Sequence, residues 1–152
     1  MRLNMIGALA CVIAVAGVAL AQAKFGTAAE AKAMLEKAVA AVKTDKAKAM
    51  DMFIKGEGGF KDRDLYPFCA NISDGKIIAT QAKNIIGTDG RTLKDKAGRP
   101  FGQEVYDAGK KSEGTISEVS YMFPRPGETE PVQKVSFVTR IGDIYCGVGY
   151  YK

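Results

Sequence analysis

Residues 117–152 read SEVSYMFPRPGETEPVQKVSFVTRIGDIYCGVGYYK, and this last part of the chain decides the fold. Two runs of alternating apolar residues flank a reversal that contains Pro124, Pro126 and Pro131, which cannot donate hydrogen bonds to a strand ladder. A Gly-Asp turn at 142–143 then leads into a third run, which closes the sequence. The pattern predicts a meander of three antiparallel strands.

The closing run carries two glycines, Gly147 and Gly149, on one face. Glycine inside a strand weakens it and commonly marks the close approach of another group. We expect a packed helix to fill this gap, and a bound ligand is the alternative.

Helices are predicted before the strands. Apolar residues recur at helical spacing over residues 27–43, and the pair Thr44-Asp45 offers an N-cap for a shorter second helix that Gly56 ends. Residues 65–73 alternate, and an Asp-Gly turn joins them to a strand at 76–79. The chain then continues through a turn-rich loop over 81–100, with a short helical turn at 83–86, into a helix at 101–111. This order predicts an α+β fold around one antiparallel-rich sheet.

The N-terminus predicts a secretory signal peptide over residues 1–23. Arg2 precedes an uncharged run, and the small residues at its end favour cleavage after Ala23, with Ala21 as a second position. An uncleaved anchor is the alternative, because the run approaches bilayer-spanning length. A lipoprotein site at Cys11 is disfavoured by its imperfect lipobox. Residues 24–152 are then expected to form one secreted or periplasmic domain with no further membrane span.

Composition excludes several kinds of site. The chain has no histidine, which rules out a Ser-His-Asp triad, histidine metal ligands and covalent haem attachment, so we expect no enzyme, metal or cofactor. The net charge is +5, but the basic residues are scattered, so no nucleic-acid surface is expected. The positive net charge is compatible with a mild attraction to small anions.

Two cysteines, Cys69 and Cys146, follow the predicted leader. In an oxidising compartment they predict a disulfide, which in the chain-entropy model contributes about 4 kcal/mol to stability. Two buried free thiols are the alternative. A catalytic thiol has less support, because the sequence contains no Cys-x-x-Cys and no histidine.

Motifs from Asp64 to Tyr151 resemble the single Cache domain family over essentially all of the predicted mature chain. They are DLYPFC (64–69), KIIA (76–79), IG (86–87), GRPFG (98–102), YMFPRPG (121–127), KVSFV (134–138) and CGVGYY (146–151). The resemblance implies a long N-terminal helix packed on a PAS-like five-stranded antiparallel sheet, with a small-ligand pocket on the other face. It also implies an extracytoplasmic sensor of small carboxylates and related metabolites.

Two departures from the family matter. Many relatives carry a His-Pro pair where this chain has Thr80 and Gln81, so a ligand contact from that histidine is absent. Relatives also commonly sit between two membrane helices of a receptor, whereas this chain resembles the freestanding secreted members. A membrane receptor or sensor protein would then have to read the bound state.

Candidate ligand contacts come from the pocket-facing positions of the predicted strands. Lys134 shares strand parity with Ser136, and a lysine facing a pocket can pair with a carboxylate, although an exposed edge lysine is the alternative. Aromatic walls with hydroxyl groups are expected from Tyr66, Phe68, Tyr121 and Phe123, with ordinary core packing as the alternative. Arg99 and Arg125 are further candidate anion partners, although both are expected to be exposed to solvent. The acidic pair Asp62 and Asp64 is expected to be solvated at the start of a strand.

The first functional hypothesis is a secreted, non-enzymatic domain that binds a small anionic metabolite between its sheet and loops. The second is a structural or interaction module whose pocket is closed by its own side chains. A thiol-redox protein is a third, and it requires a free, accessible cysteine.

Overall fold

The computed structural model describes residues 23–152, and these contain three α-helices and five β-strands. The elements are α1 (Ala28–Thr44), α2 (Lys46–Lys55), β1 (Pro67–Asn71), β2 (Ile77–Ala79), α3 (Phe101–Gly109), β3 (Ser117–Pro124), β4 (Pro131–Ile141) and β5 (Ile144–Tyr151). Short 3₁₀ turns at Lys83–Ile85 and Gly90–Thr92 lie between β2 and α3. The predicted order of elements is confirmed. The predicted leader, apart from its last residue, and Cys11 lie outside the described residues.

Both N-terminal helices begin at a polar cap. The Thr27 hydroxyl accepts from the Glu30 backbone N–H, and the Glu30 carboxylate accepts from the Thr27 N–H, which forms a capping box. Asp45 caps α2 as predicted, and Gly56 ends it with a φ of 73°, a left-handed conformation that glycine adopts without strain. Within residues 23–152, no helix has the length and apolar character needed to cross a bilayer.

The strands form one antiparallel sheet in the order β2-β1-β5-β4-β3. The C-terminal meander supplies three of these strands, and its last strand returns to the middle of the sheet beside β1. The turn at Gly142 and Asp143 joins β4 to β5, with Ile141 opposite Ile144, as predicted. This arrangement confirms the five-stranded PAS-like sheet that the resemblance implied.

Helices and loops cover the two faces of the sheet differently. On one, which we call the helix face, α1 and α2 pack through Leu35 and Phe53 against strand residues that include Val148. On the other, the pocket face, α3 packs through Val105 against residues that include Val119. Because strand side chains alternate in direction, β4 and β5 each send one set of residues to each face. Each of these two strands therefore contributes side chains to the core on both faces of the sheet.

The predicted disulfide between Cys69 and Cys146 is confirmed. The two residues lie directly opposite each other in the β1–β5 register, and both are fully buried on the helix face. The alternative of two free thiols is therefore wrong. The bond closes a sequence separation of 77 residues at the centre of the sheet.

We expect the double substitution Cys69→Ala and Cys146→Ala to lower the free energy of unfolding by about 3–4 kcal/mol. Without the disulfide, the unfolded chain regains the conformational entropy that closing a long loop removes. Urea unfolding of the two proteins measures this difference, with Ser120→Ala as a neutral strand control. An unchanged urea midpoint would contradict the prediction.

Candidate ligand-binding site

A cavity of about 50 Å³ lies on the pocket face, between the sheet, α3 and the loop that follows β2. One water needs about 10–15 Å³ on this measure, so the cavity has room for a few non-hydrogen atoms. Its lining is mostly apolar and comprises Tyr66, Phe68, Ala70, Ile77, Thr80, Ile85, Gly90, Leu93, Phe101, Gly102, Val105, Tyr121, Phe123, Lys134 and Tyr145.

Lys134 brings a positive charge to this apolar cavity. Its side chain is almost fully buried, and its ammonium donates to the Tyr66 hydroxyl at 3.1 Å. No acidic side chain of residues 23–152 pairs with it. The alternative of an exposed edge lysine is wrong, because β4 lies between β3 and β5 within the sheet.

Three aromatic rings, rather than a carboxylate, surround the Lys134 ammonium. The Lys134 nitrogen lies 4.4 Å from the ring centroid of Tyr66, 4.9 Å from that of Tyr151 and 5.1 Å from that of Phe123. Ring faces attract cations, although more weakly than an anion does. Burial acts to lower the pKa of Lys134, but the surrounding tyrosines more than offset it, so the pKa lies above its usual range. The hydrogen bond to Tyr66 and the three ring faces favour the charged form of the lysine.

The two glycines of β5 make the space that Lys134 and Phe68 occupy. A Cβ atom at Gly149 would lie 2.3 Å from the Lys134 Cε and 2.5 Å from the Ser136 Oγ. A Cβ atom at Gly147 would lie 2.4 Å from the Phe68 ring. The expectation that a helix fills this gap is wrong, since α1 packs on the opposite face and side chains from β4 and β1 occupy the space.

Tyr121 forms one wall and is held from two directions. Its ring stacks on Phe101 of α3 with centroids 4.4 Å apart, and its hydroxyl shares a 2.8 Å hydrogen bond with Ser136. Burial raises the pKa of the Tyr121 phenol. The hydroxyl of Ser136 therefore supports this wall, and Ser136 is not part of the cavity lining.

The structure brings five of the six predicted contact residues to the cavity lining: Lys134, Tyr66, Phe68, Tyr121 and Phe123. Other lining residues were not predicted from the sequence, among them Leu93, Phe101, Val105 and Tyr145. The spacing of Phe101 and Val105 on one helix face was a usable signal, because that face must pack on the sheet. Leu93 lies in an irregular loop where no periodicity points to it.

The two positions that replace the family's His-Pro pair have separate roles. Thr80 lines the cavity, with its hydroxyl accepting from the Ala82 backbone N–H. The Gln81 amide instead donates to the carbonyls of Phe53 and Ile54, at 2.6 Å and 3.1 Å. Gln81 thus ties the loop after β2 to the C-terminal end of α2.

An open polar groove of about 610 Å³ adjoins the cavity and shares Tyr66, Ile85 and Phe123 with it. Arg125 lines this groove, yet only 14% of its side chain is exposed, and its Nε lies 3.5 Å from the Asp64 carboxylate, itself 6% exposed. The expectation that both residues are exposed is wrong, because residues before α1 pack over them. Arg99 is half-exposed and pairs with Glu104.

Residues 23–152 contain no cluster of three or more histidine, cysteine or acidic side chains that is able to hold a metal ion. The chemistry of the described site therefore depends on one buried cation, phenol groups and apolar walls.

An antiparallel five-stranded sheet with α1 and α2 on one face, and α3 and a cation-containing cavity on the other, is a PAS-like fold. The family model described as Single Cache domain 2 matches residues 8–151, and the chain belongs to this family. No curated protein was found to match the sequence.

Three solved structures share the fold. One is a methyl-accepting chemotaxis protein from Vibrio parahaemolyticus RIMD 2210633, with a TM-score of 0.65 and 21% identity over 81% of this chain and 86% of that one. The second is a periplasmic sensor domain of a chemotaxis protein, with a TM-score of 0.59 and 22% identity over 80% and 87%. The third is a Cache chemosensory domain described in terms of carboxylic acid recognition, with a TM-score of 0.57 and 24% identity over 80% and 85%.

We expect Gly149→Ala to lower the free energy of unfolding by about 1–3 kcal/mol, because the added methyl group overpacks the floor of the cavity and displaces Lys134. Urea unfolding and the near-ultraviolet circular dichroism of the tyrosines measure the effect. Ser120→Ala in β3 serves as the control, and equal stability of Gly149→Ala and the wild type would contradict the prediction.

We also expect stability to fall as the pH rises above about 10. Burial raises the pKa of Tyr121 and Tyr145, so in this range the folded state holds protons that the unfolded state has lost. Stability then decreases with pH until the folded pKa is passed, and the raised pKa of Lys134 acts in the same direction.

Phenolate absorbance and far-ultraviolet circular dichroism, recorded together during an alkaline titration, test this pH dependence. The buried tyrosines should ionise only as the helical signal is lost. Ionisation of all six tyrosines near pH 10 with the fold intact would contradict the predicted pH dependence.

Proposed function

We propose that this chain is a non-enzymatic, sensor-type domain that binds a small carboxylate or a related anionic metabolite in the cavity. The observation that carries the proposal is the buried ammonium of Lys134, which has no acidic partner among the described residues. A charge removed from water without a partner is costly, and a bound carboxylate supplies the missing anion.

Each polar group at the cavity has a role in this proposal. Lys134 pairs with the carboxylate, and the Tyr66 hydroxyl, which accepts from the ammonium, keeps its own proton for donation to a carboxylate oxygen. Phe68, Phe123 and Tyr121 enclose the apolar part of the ligand. The volume of about 50 Å³ favours a ligand of a few non-hydrogen atoms.

The chemosensory domain with carboxylic acid recognition supports the same ligand class, since its fold is that of this chain. The predicted leader and the buried disulfide favour a secreted or periplasmic protein, because disulfides persist in oxidising compartments. The proposal assigns the reading of the bound state to a membrane receptor or sensor protein.

The small size of the cavity favours a second candidate, a structural or interaction module. Phe101 stacked on Tyr121 already fills much of the space between α3 and the sheet. In that case ligands leave stability unchanged. A thiol-redox role has no support from Cys69 and Cys146, because both are bonded and fully buried.

A thermal-shift screen of the protein against small carboxylates, amino acids and purines tests the two candidates. A carboxylate that binds only the folded state at 100 times its dissociation constant adds roughly 2.7 kcal/mol of stability, which raises the melting temperature by several degrees. We expect a saturable rise with at least one small carboxylate.

The matched variants are Lys134→Met and Lys76→Met. Lys134→Met keeps most of the side-chain volume without the charge and should abolish the rise, whereas Lys76 is exposed and its substitution should preserve it. A carboxylate response retained in Lys134→Met would place the site elsewhere. No response to any carboxylate would favour the structural module.

A further inference from the structure

The residues before α1, Ala23 to Thr27, form a segment that we call the N-terminal strap, and side chains of the loop before β1 hold its backbone. The Gly26 N–H donates to the Asp64 Oδ1 at 2.7 Å. The Arg63 guanidinium donates to the carbonyls of Phe25 at 2.9 Å and Ala23 at 3.3 Å. The strap is thus fixed by charged side chains about 40 positions later in the sequence.

The loop that holds the strap carries backbone strain. Arg63 has a φ of 55°, the only positive φ of a non-glycine residue within residues 23–152. Its guanidinium is fixed between the carboxylates of Glu30 and Asp62, at 2.7 Å and 2.8 Å. A non-glycine residue adopts this conformation at a cost, so the contacts of its side chain have to offset the strain.

A second set of contacts connects the strap to the cavity. The Arg125 guanidinium lies 4.2 Å from the Phe25 ring centroid and 5.1 Å from that of Tyr151. The Lys134 ammonium lies 4.9 Å from the same Tyr151 centroid. Tyr151 is therefore shared by two cations, one that holds the strap and one that faces the cavity, and they lie within about 10 Å of each other.

Arg125 forms a buried ion pair with Asp64 that is not closed by a hydrogen bond. Its Nε and the Asp64 Oδ2 are buried and have no hydrogen-bond partner among the described residues, although they lie 3.5 Å apart. Two like charges within about 10 Å of each other, such as those of Arg125 and Lys134, repel more strongly in a protein interior than in water. The positive charge of Lys134 therefore acts against the positive charge that Arg125 places beside Phe25 and Tyr151.

We propose that docking of the N-terminal strap is coupled to occupancy of the cavity through this pair of cations. This inference rests on the proposed function, since it requires an anion that binds at Lys134. The bound anion cancels the repulsion between Lys134 and Arg125, so Arg125 holds Phe25 and Asp64 more firmly and the strap opens less often. By linkage, the docked strap increases the affinity for the anion by the same factor.

A test without any ligand uses amide hydrogen exchange of Gly26, whose N–H is bonded to Asp64. Lys134→Met removes the repelling charge, and we expect exchange at Gly26 to slow about fivefold relative to the amide of Val148, which reports global unfolding. Lys76→Met should leave this ratio unchanged. In an Arg125→Gln background, Lys134→Met should no longer slow exchange at Gly26.

A second arm uses propionate as the probe anion. In the wild type we expect propionate to slow exchange at Gly26 by a similar factor, and in Arg125→Gln we expect this response to be lost. If propionate does not raise the melting temperature, the other carboxylates of the screen are used, and failure of all of them refutes the proposed function. The ligand-free variants still decide whether the two cations are coupled.

Three results would overturn the inference. The first is an unchanged or faster exchange at Gly26 in Lys134→Met. The second is a slowing that persists in the Arg125→Gln background, which would show that Arg125 does not couple Lys134 to the strap. The third is a carboxylate that raises the melting temperature without changing exchange at Gly26.

Discussion

The burial of one ammonium group, that of Lys134, determines how the rest of the pocket face is arranged. Taking a cation out of water requires compensation, and here the compensation comes from a phenol oxygen and ring faces. The rings come from β3, β5 and the residue before β1, so the charge is compensated only when these elements are assembled. The compensation of this one charge therefore couples elements that are distant in sequence.

Strand β5 lies at the centre of the sheet and serves both of its faces. Towards the helices it presents Cys146 and Val148, which anchor the core and the disulfide. Towards the cavity it presents Tyr145, Gly147, Gly149 and Tyr151. Because side chains alternate along a strand, the side of the disulfide and the side of the cavity are separated within eight residues.

Local chemistry made much of the fold predictable. Turn residues such as Gly142 and caps such as Asp45 act within a few positions, and strand parity correctly placed Lys134 with Ser136. The burial of Arg125 and Asp64 could not be predicted, because it depends on a strap almost 40 residues before Asp64 that has no periodicity. Leu93 was missed for a related reason, since the path of an irregular loop is set by what it packs against.

Gly147 and Gly149 shape the cavity because they lack side chains and so leave room for its lining residues. Alanine scanning locates functional residues by removing atoms, and at Gly147 and Gly149 there are no side-chain atoms to remove. An alanine substitution at these two positions adds atoms instead, so it reports the room that Lys134 and Phe68 need rather than a lost contact. A larger residue at Gly149 would have to displace Lys134, and one at Gly147 would have to displace Phe68, so each glycine fixes the position of one residue of the cavity lining.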